Sequence, residues 1–212
     1  MSTDRSRNGR TPGAQEPART AGRADGGRRA AVVVRPVTEA DHPAVADLSE
    51  AAYVHGGHVA PGDAYVIKLR DVAARAAATE VLVAEVTGPD GEPVVAGSVV
   101  LAPYGTPWAE VARADEYEFR MLAVHPDFHR RGVARALVDA VIERARATEG
   151  VQAVVLSTVI TMQGALRLYL SYGFVHMPER DWMLSERIPG IPPEEDKGPF
   201  PVYRMELDAP EA

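Results

Sequence analysis

The run Leu122 to Val138, LAVHPDFHRRGVARALV, holds the densest chemistry in the chain. A short apolar strand ends at His125-Pro126. A loop then brings His129, Arg130 and Arg131 ahead of Gly132, and an alanine- and leucine-rich helix follows. A strand, an amide-rich turn and a helix N-terminus together make an anion site, because the first helical N–H groups lack partners and the helix dipole favours negative charge. Arginine suits phosphate because its fork of donors matches two oxygens. A glycine leaves the amides open to close approach by a ligand. The pyrophosphate of a cofactor fits this loop; a basic surface loop that serves solubility is the alternative.

Three further groups, Glu118, His55 and His58, could move protons. On the strand Glu116 to Val124, period-two geometry sets Glu116, Glu118 and Arg120 on one face and Tyr117, Phe119 and Met121 on the other. Glu118 can accept a proton directly or through water; it can equally pair with Arg120. His55 and His58 have a suitable ordinary pKa but sit in a glycine loop. Tyr169 lies on a helical stretch that ends at Gly173.

The elements that must carry these groups follow from hydrophobic periodicity. Order begins with a strand at Ala31 to Val34. Thr38 with Asp41 is an acidic variant of a capping box and starts a helix that runs to about Tyr53. One helix is expected over Ala64 to Ala78. Strands Glu80 to Val86 and Val94 to Leu101 flank the turn Gly88 to Gly91, and Glu116 to Val124 is the fourth strand. A helix from Gly132 to about Ala147 places Val133, Leu137 and Val141 on one face. The continuous apolar run of Val151 to Ser157 fits a strand covered on both faces. A helix Met162 to Tyr172 and strands Phe174 to Met177 and Val202 to Leu207 complete a mixed α/β sheet covered by helices. Residues 1–30 have almost nothing to bury and are expected to be a disordered tail, leaving 31–208 as one domain.

Bulk composition narrows the function classes. The chain has 212 residues, 46% hydrophobic and 25% charged, as in an ordinary globular protein. It has no cysteine, which excludes a thiolate nucleophile and thiolate metal sites. Its net charge is −7, but residues 1–30 hold seven arginines against three acids, so the rest carries about −11. An acidic body is a poor non-specific nucleic-acid binder. No run approaches the ~20 apolar residues of a membrane span, and neither a signal peptide nor a metal signature is present, so a cytoplasmic location without membrane or metal is expected.

Two segments closely resemble the GCN5-related N-acetyltransferase (GNAT) superfamily. Met121 to Pro126, running into Arg131 to Leu137, is similar to its acetyl-CoA pyrophosphate loop, Q/R-x-x-G-x-G/A. Ala165 to Phe174, ALRLYLSYGF, is similar to its A-x-x-L-Y-x-x-x-G-F element, about thirty residues on. The resemblance covers roughly residues 32–207 and implies a mostly antiparallel sheet of about seven strands, splayed at a bulge between strand 4, which ends at Val124, and strand 5. It implies acetyl-CoA as co-substrate, with His129, Arg130, Arg131, Gly132, Val133, Ala134 and Arg135 at the phosphates and the main chain of Leu122, Ala123 and Val124 along the pantetheine arm. An amide near Leu122 would polarise the acetyl carbonyl.

The same resemblance makes Tyr169 the general acid for the departing thiolate and Glu118 a candidate base, and it leaves a homodimer open. The chain departs from the pattern where His129 replaces a longer donor and Met162 replaces an asparagine. The activity expected is acetyl transfer to a primary amine, small molecule or peptide; a non-catalytic acyl-CoA-binding module is the alternative. Residues 53–63, 103–115 and 177–198, with Trp108 and Trp182, would line the acceptor site, and the acids between Glu179 and Asp196 favour a cationic acceptor.

Overall fold

The computed structural model describes residues 31–187, 190–192 and 194–208, so the expectation for a tail at 1–30 lies outside the described residues. Seven strands form one sheet: β1 (Val33–Pro36), β2 (Val81–Thr87), β3 (Pro93–Pro103), β4 (Glu116–Val124), β5 (Ala153–Ser157), β6 (Val175–His176) and β7 (Val202–Glu206). Their spatial order is β1-β2-β3-β4-β5-β7-β6, and every pairing is antiparallel except β4 with β5. The turn residues between β2 and β3 set up the antiparallel half, whose central strands are buried on both faces. The parallel pair needs a crossover helix, which α4 (Val133–Arg146) supplies.

α4 and α5 (Gln163–Ser171) cover one face of the sheet, where Phe119, Leu137, Val141, Leu156, Tyr169 and Phe174 share the main core. On α4 the apolar stripe predicted from Val133, Leu137 and Val141 is fully buried. α4 can lie this close because of Gly97 on β3. A Cβ there would stand 2.7 Å from Val133 Cγ1 and 2.9 Å from the Ala123 carbonyl oxygen. Gly97→Ala is therefore expected to lower stability by roughly 1–3 kcal/mol through overpacking, read as a lower denaturation midpoint with an unchanged denaturant slope.

The opposite face carries α1 (His42–Glu50), α2 (Ala64–Arg70) and α3 (Val72–Ala78). The single helix expected over residues 64–78 is two helices. Asp71 leaves the helical region at φ −80°, ψ 70°, and its carboxylate accepts the Ala74 N–H at 3.0 Å. A short polar side chain that bonds nearby backbone competes with helix continuation, and here it starts a second helix. The first helix also departs from expectation: after Glu50 it widens into a π-turn over Ala51–His55, which contains Tyr53. The long excursion between β6 and β7 folds on this side, where Trp182 and Phe200 stack at 4.5 Å against Val155 and Val202.

Candidate active site

Strand β4 holds the central irregularity. Its ladder with β5 ends at Glu118↔Val155, so among the described residues Phe119 to Val124 have no strand partner on that edge. On the other edge the register with β3 shifts between Ser98 and Val100, and Met121 takes φ 50°. The extra residue is a bulge, and it reverses the side-chain alternation. Before it, Tyr117 and Phe119 face α4 and α5. Met121 was expected on that face; instead it points to the α1–α3 side with Leu69, Val81 and Val100. Leu122 and Val124 then pack toward α4 and α5. The bulge leaves main-chain groups of residues 121–124 along an open edge, the arrangement an extended ligand can join as an added strand.

The basic loop begins where that edge ends. His125 leads a short 3-10 turn, Pro126–Phe128, and the chain reaches α4 through Arg130 at φ 60° and Gly132 at φ 90°. Among the described residues, Met121 and Arg130 are the two non-glycine positions with left-handed φ. Such strain persists where the surroundings impose it, and both instances lie at this site. Gly132 is needed for its φ and not for lack of room, since a Cβ there would meet no protein atom within 4 Å. α4 starts without a side-chain cap or an acid in its first turn, so the Val133 and Ala134 amides face outward at the positive end of the helix.

The basic side chains divide. Arg130 and Arg131 are exposed, with Arg131 over the Phe128 ring at 5.1 Å. His129 turns back to the Val124 carbonyl, Nε2 to oxygen 3.2 Å. Arg135 lies over Tyr172 and reaches Ser171, so toward the loop it offers only its backbone.

Tyr169 enters from α5, packed between Phe119 (5.7 Å) and Phe174 (5.8 Å). Burial pushes its phenol well above the usual tyrosine range, so it is a proton donor at neutral pH. Among the described residues no hydrogen bond engages its hydroxyl, and burial alone accounts for the shift. Tyr172, by contrast, ties α5 to α4: its hydroxyl donates to Asp139 Oδ1 and sits 3.1 Å from the Arg135 carbonyl.

Glu118 is completely buried. Its Oε2 accepts three backbone N–H groups, from Glu110 (2.7 Å), Val111 (2.8 Å) and Ala112 (3.0 Å). Its Oε1 has no hydrogen-bond partner among the described residues and lies 3.7 Å from Arg120 Nε. Burial raises the carboxyl above the usual glutamate range, and the three amides and Arg120 pull it back. Arg120 itself pairs with Glu110 at 2.7 Å and donates to the Trp108 carbonyl. Glu116, on the same face, accepts from Arg180 and Arg204, so it is structural. The expected grouping of Glu116, Glu118 and Arg120 thus holds, with their partners supplied by the loop before β4 and the excursion after β6.

On the α1–α3 side, Tyr53 and Tyr65 face each other at 6.1 Å beside Met121 and Trp108. His58 Nδ1 lies 2.9 Å from Thr161 Oγ1, and burial lowers its pKa. His55 is exposed. Lys197 pairs with Asp63, joining the excursion to the start of α2. Trp182 closes a core cluster and donates to Ser157 Oγ at 3.0 Å. The acidic stretch is partly committed: Asp181 binds His176 and the Val202 N–H, and Asp196 binds Ser185.

The acetyltransferase (GNAT) family model matches residues 44–174, more than half the chain and all of β4, the basic loop and α5. The chain belongs to this family. The lone parallel pair, β4 with β5, matches the GNAT fold. N-acetyltransferase 8F1 of Rattus norvegicus is 39% identical over 80 residues, 38% of this chain; the match spans only 36% of the rat protein. Among solved structures, a GNAT-family acetyltransferase of Staphylococcus aureus Mu50 superposes with a TM-score of 0.58 at 11% identity, covering 84% of this chain and 99% of that one. A GNAT-family acetyltransferase of Elizabethkingia anophelis, solved with acetyl-CoA bound, gives 0.52 at 20% identity, covering 83% of this chain and 98% of that one. At these identities the structures establish the fold.

Individual residues emerge only with the fold. Tyr53, Tyr65, Glu110 and Arg75 lie against the bulge or its supports. Tyr53 and Glu110 fall within the stretches 53–63 and 103–115 expected to line the acceptor site, whereas nothing local marks Tyr65 or Arg75.

Proposed function

We propose that this GNAT protein transfers the acetyl group of acetyl-CoA to a primary amine by direct attack, and that residues 31–208 act as one domain in doing so. One observation carries the reading: the two strained non-glycine residues, Met121 and Arg130, bracket an open strand edge that leads into the amide-rich start of α4. An anionic ligand with an extended polar arm fits that sequence of groups, phosphate at Arg130 to Ala134 and arm along Leu122 to Val124.

Bound acetyl-CoA supplies an acetyl group already activated as a thioester. The chain's residues do the rest. Glu118 Oε1 takes a proton from the acceptor ammonium through water, a task its raised pKa suits. The amine nitrogen then bonds to the carbonyl carbon while an amide at the bulge faces the developing oxyanion, and as the adduct collapses the nitrogen's second proton and the one held by Glu118 pass to solvent. Tyr169 donates its proton to sulfur as the C–S bond breaks, and solvent reprotonates it. Exposed Glu179, Glu186, Glu194 and Glu195, without ion pairs among the described residues, support a cationic acceptor, small molecule or peptide.

Calorimetric titration with acetyl-CoA, followed by thiol release against an amine panel, tests this. Wild type is expected to bind at micromolar concentration and to release thiol with at least one amine. Gly132→Glu, which sets a carboxylate at a φ that strains any side chain, is expected to lose binding by 100-fold or more, about 2.7 kcal/mol. Binding without turnover across the panel would instead mark an acyl-CoA-binding module.

A further inference from the structure

Arg75, on α3, is 1% exposed, and among the described residues it has no carboxylate partner. Its Nη1 donates to the carbonyls of Lys68 and Leu69, each at 2.9 Å, and to Met121 Sδ at 3.3 Å; its Nε has no acceptor. The two carbonyls belong to the last turn of α2, left open by the break at Asp71. Burial lowers the guanidinium's pKa, the titratable groups near enough to act on its charge are Tyr65, Tyr53 and Asp71, and Asp71 is held by the Ala74 N–H.

A buried cation without a counter-charge is a costly thing to keep in a core, and a methionine or leucine would fill the same space. Capping two carbonyls is a partial return. Position supplies the rest of the explanation. The guanidinium touches the side chain of the residue whose left-handed φ makes the β4 bulge, directly behind the strand edge where the thioester is placed in the function proposed above. In a dry interior a fixed charge acts over several ångströms, and arginine keeps its charge throughout the physiological range. Tyr53 and Tyr65 lie in the same field and on the same side.

We infer that Arg75 is a positioning residue for acyl transfer: it fixes Met121 and the bulge, and its buried charge favours negative charge developing at the sulfur and carbonyl oxygen on the other side of the strand. The inference rests on the acetyl-CoA reading, so its test uses a readout that needs coenzyme A binding but not turnover.

The thiol pKa of bound coenzyme A would be followed by thiolate ultraviolet absorbance in wild type, Arg75→Lys and Arg75→Gln. Thermal melts, coenzyme A affinity and kcat would be measured alongside. In wild type the bound thiol is expected to titrate at least one pH unit below the free thiol. Lysine, which keeps the charge, should retain most of that shift and keep kcat within 10-fold. Glutamine, which can still donate to a helix carbonyl, should lose the shift and at least 10-fold in kcat with coenzyme A affinity little changed. An unshifted thiol in wild type overturns the inference, as does a glutamine variant with wild-type thiol pKa and kcat. Should the glutamine variant fail to fold, the lysine variant decides: loss of the thiol shift in a folded protein overturns the inference. Failure of wild type to bind coenzyme A would sink the acetyl-CoA reading and this inference together, whereas binding with an unshifted thiol sinks this inference alone.

Discussion

Glu118→Ala is expected to loosen the loop before β4 and to abolish turnover together. Three N–H groups now converge on one buried carboxylate oxygen. Leaving a buried donor unmatched costs about 1–3 kcal/mol. The loop lies near the surface and some amides will regain water, so the net loss is about 2–4 kcal/mol. Chemical denaturation would show it. Glu118→Gln separates the two roles, because its amide oxygen can still accept the loop's N–H groups while the base is gone. That variant should melt near wild type and lose about 100-fold or more in kcat.

The pH dependence fixes the sign. Burial raises the Glu118 pKa in the folded protein, so wild-type activity should fall as pH drops through a value above the usual glutamate range. The same shift means that this group favours the fold most below its unfolded pKa, and that this contribution is lost as pH rises through the folded value. In Glu118→Gln the acid limb of the rate profile should disappear. A glutamine variant with wild-type kcat and an unchanged acid limb would leave Glu118 as a loop clamp and nothing more.

Tyr169→Phe should give the opposite pattern: a stable protein that binds its cofactor and turns over slowly. No hydrogen bond engages the hydroxyl among the described residues, so its removal leaves no donor or acceptor stranded in the core. The ring keeps its contacts with Phe119 and Phe174. Loss of a general acid costs about 100-fold or more in kcat, with acetyl-CoA affinity by calorimetry unchanged. Because burial holds the phenol well above the usual tyrosine range, wild-type activity should show no basic limb from Tyr169 near pH 10. Unchanged turnover would remove Tyr169 from the mechanism. A thiol leaving group of lower pKa, offered as an aryl thioester in place of acetyl-CoA, should narrow the gap between phenylalanine variant and wild type.

Much of this site was legible in the sequence. Local rules govern the parts that were read: period two along the first half of β4, the i, i+4 stripe of α4, and the helix stop at Gly173, whereas Gly132 was read for open space and proves to be needed for its φ of 90°. Each depends on neighbours within about one turn or a few strand positions. The order of the elements and the two spaced motifs then made the family recognisable from residues 121–137 and 165–174.

Tertiary structure decided the rest. The resemblance implied a bulge where the strand ending at Val124 splays, but no local pattern places it at Met121, since β3 sets the register on one side and the end of the β5 ladder frees the other. The bulge turned Met121 to the face opposite the one that strict alternation predicts. Glu118 was a base or an ion-pair partner on sequence grounds; only the path of residues 110–112 shows that its first duty is to backbone amides. Arg75 is separated from Met121 by 46 positions and looks like any arginine on an alanine-rich helix until the break at Asp71 folds it inward. Periodicity tells which face of an element is buried. It does not tell which distant groups meet there, because that contact is set by how the elements cross.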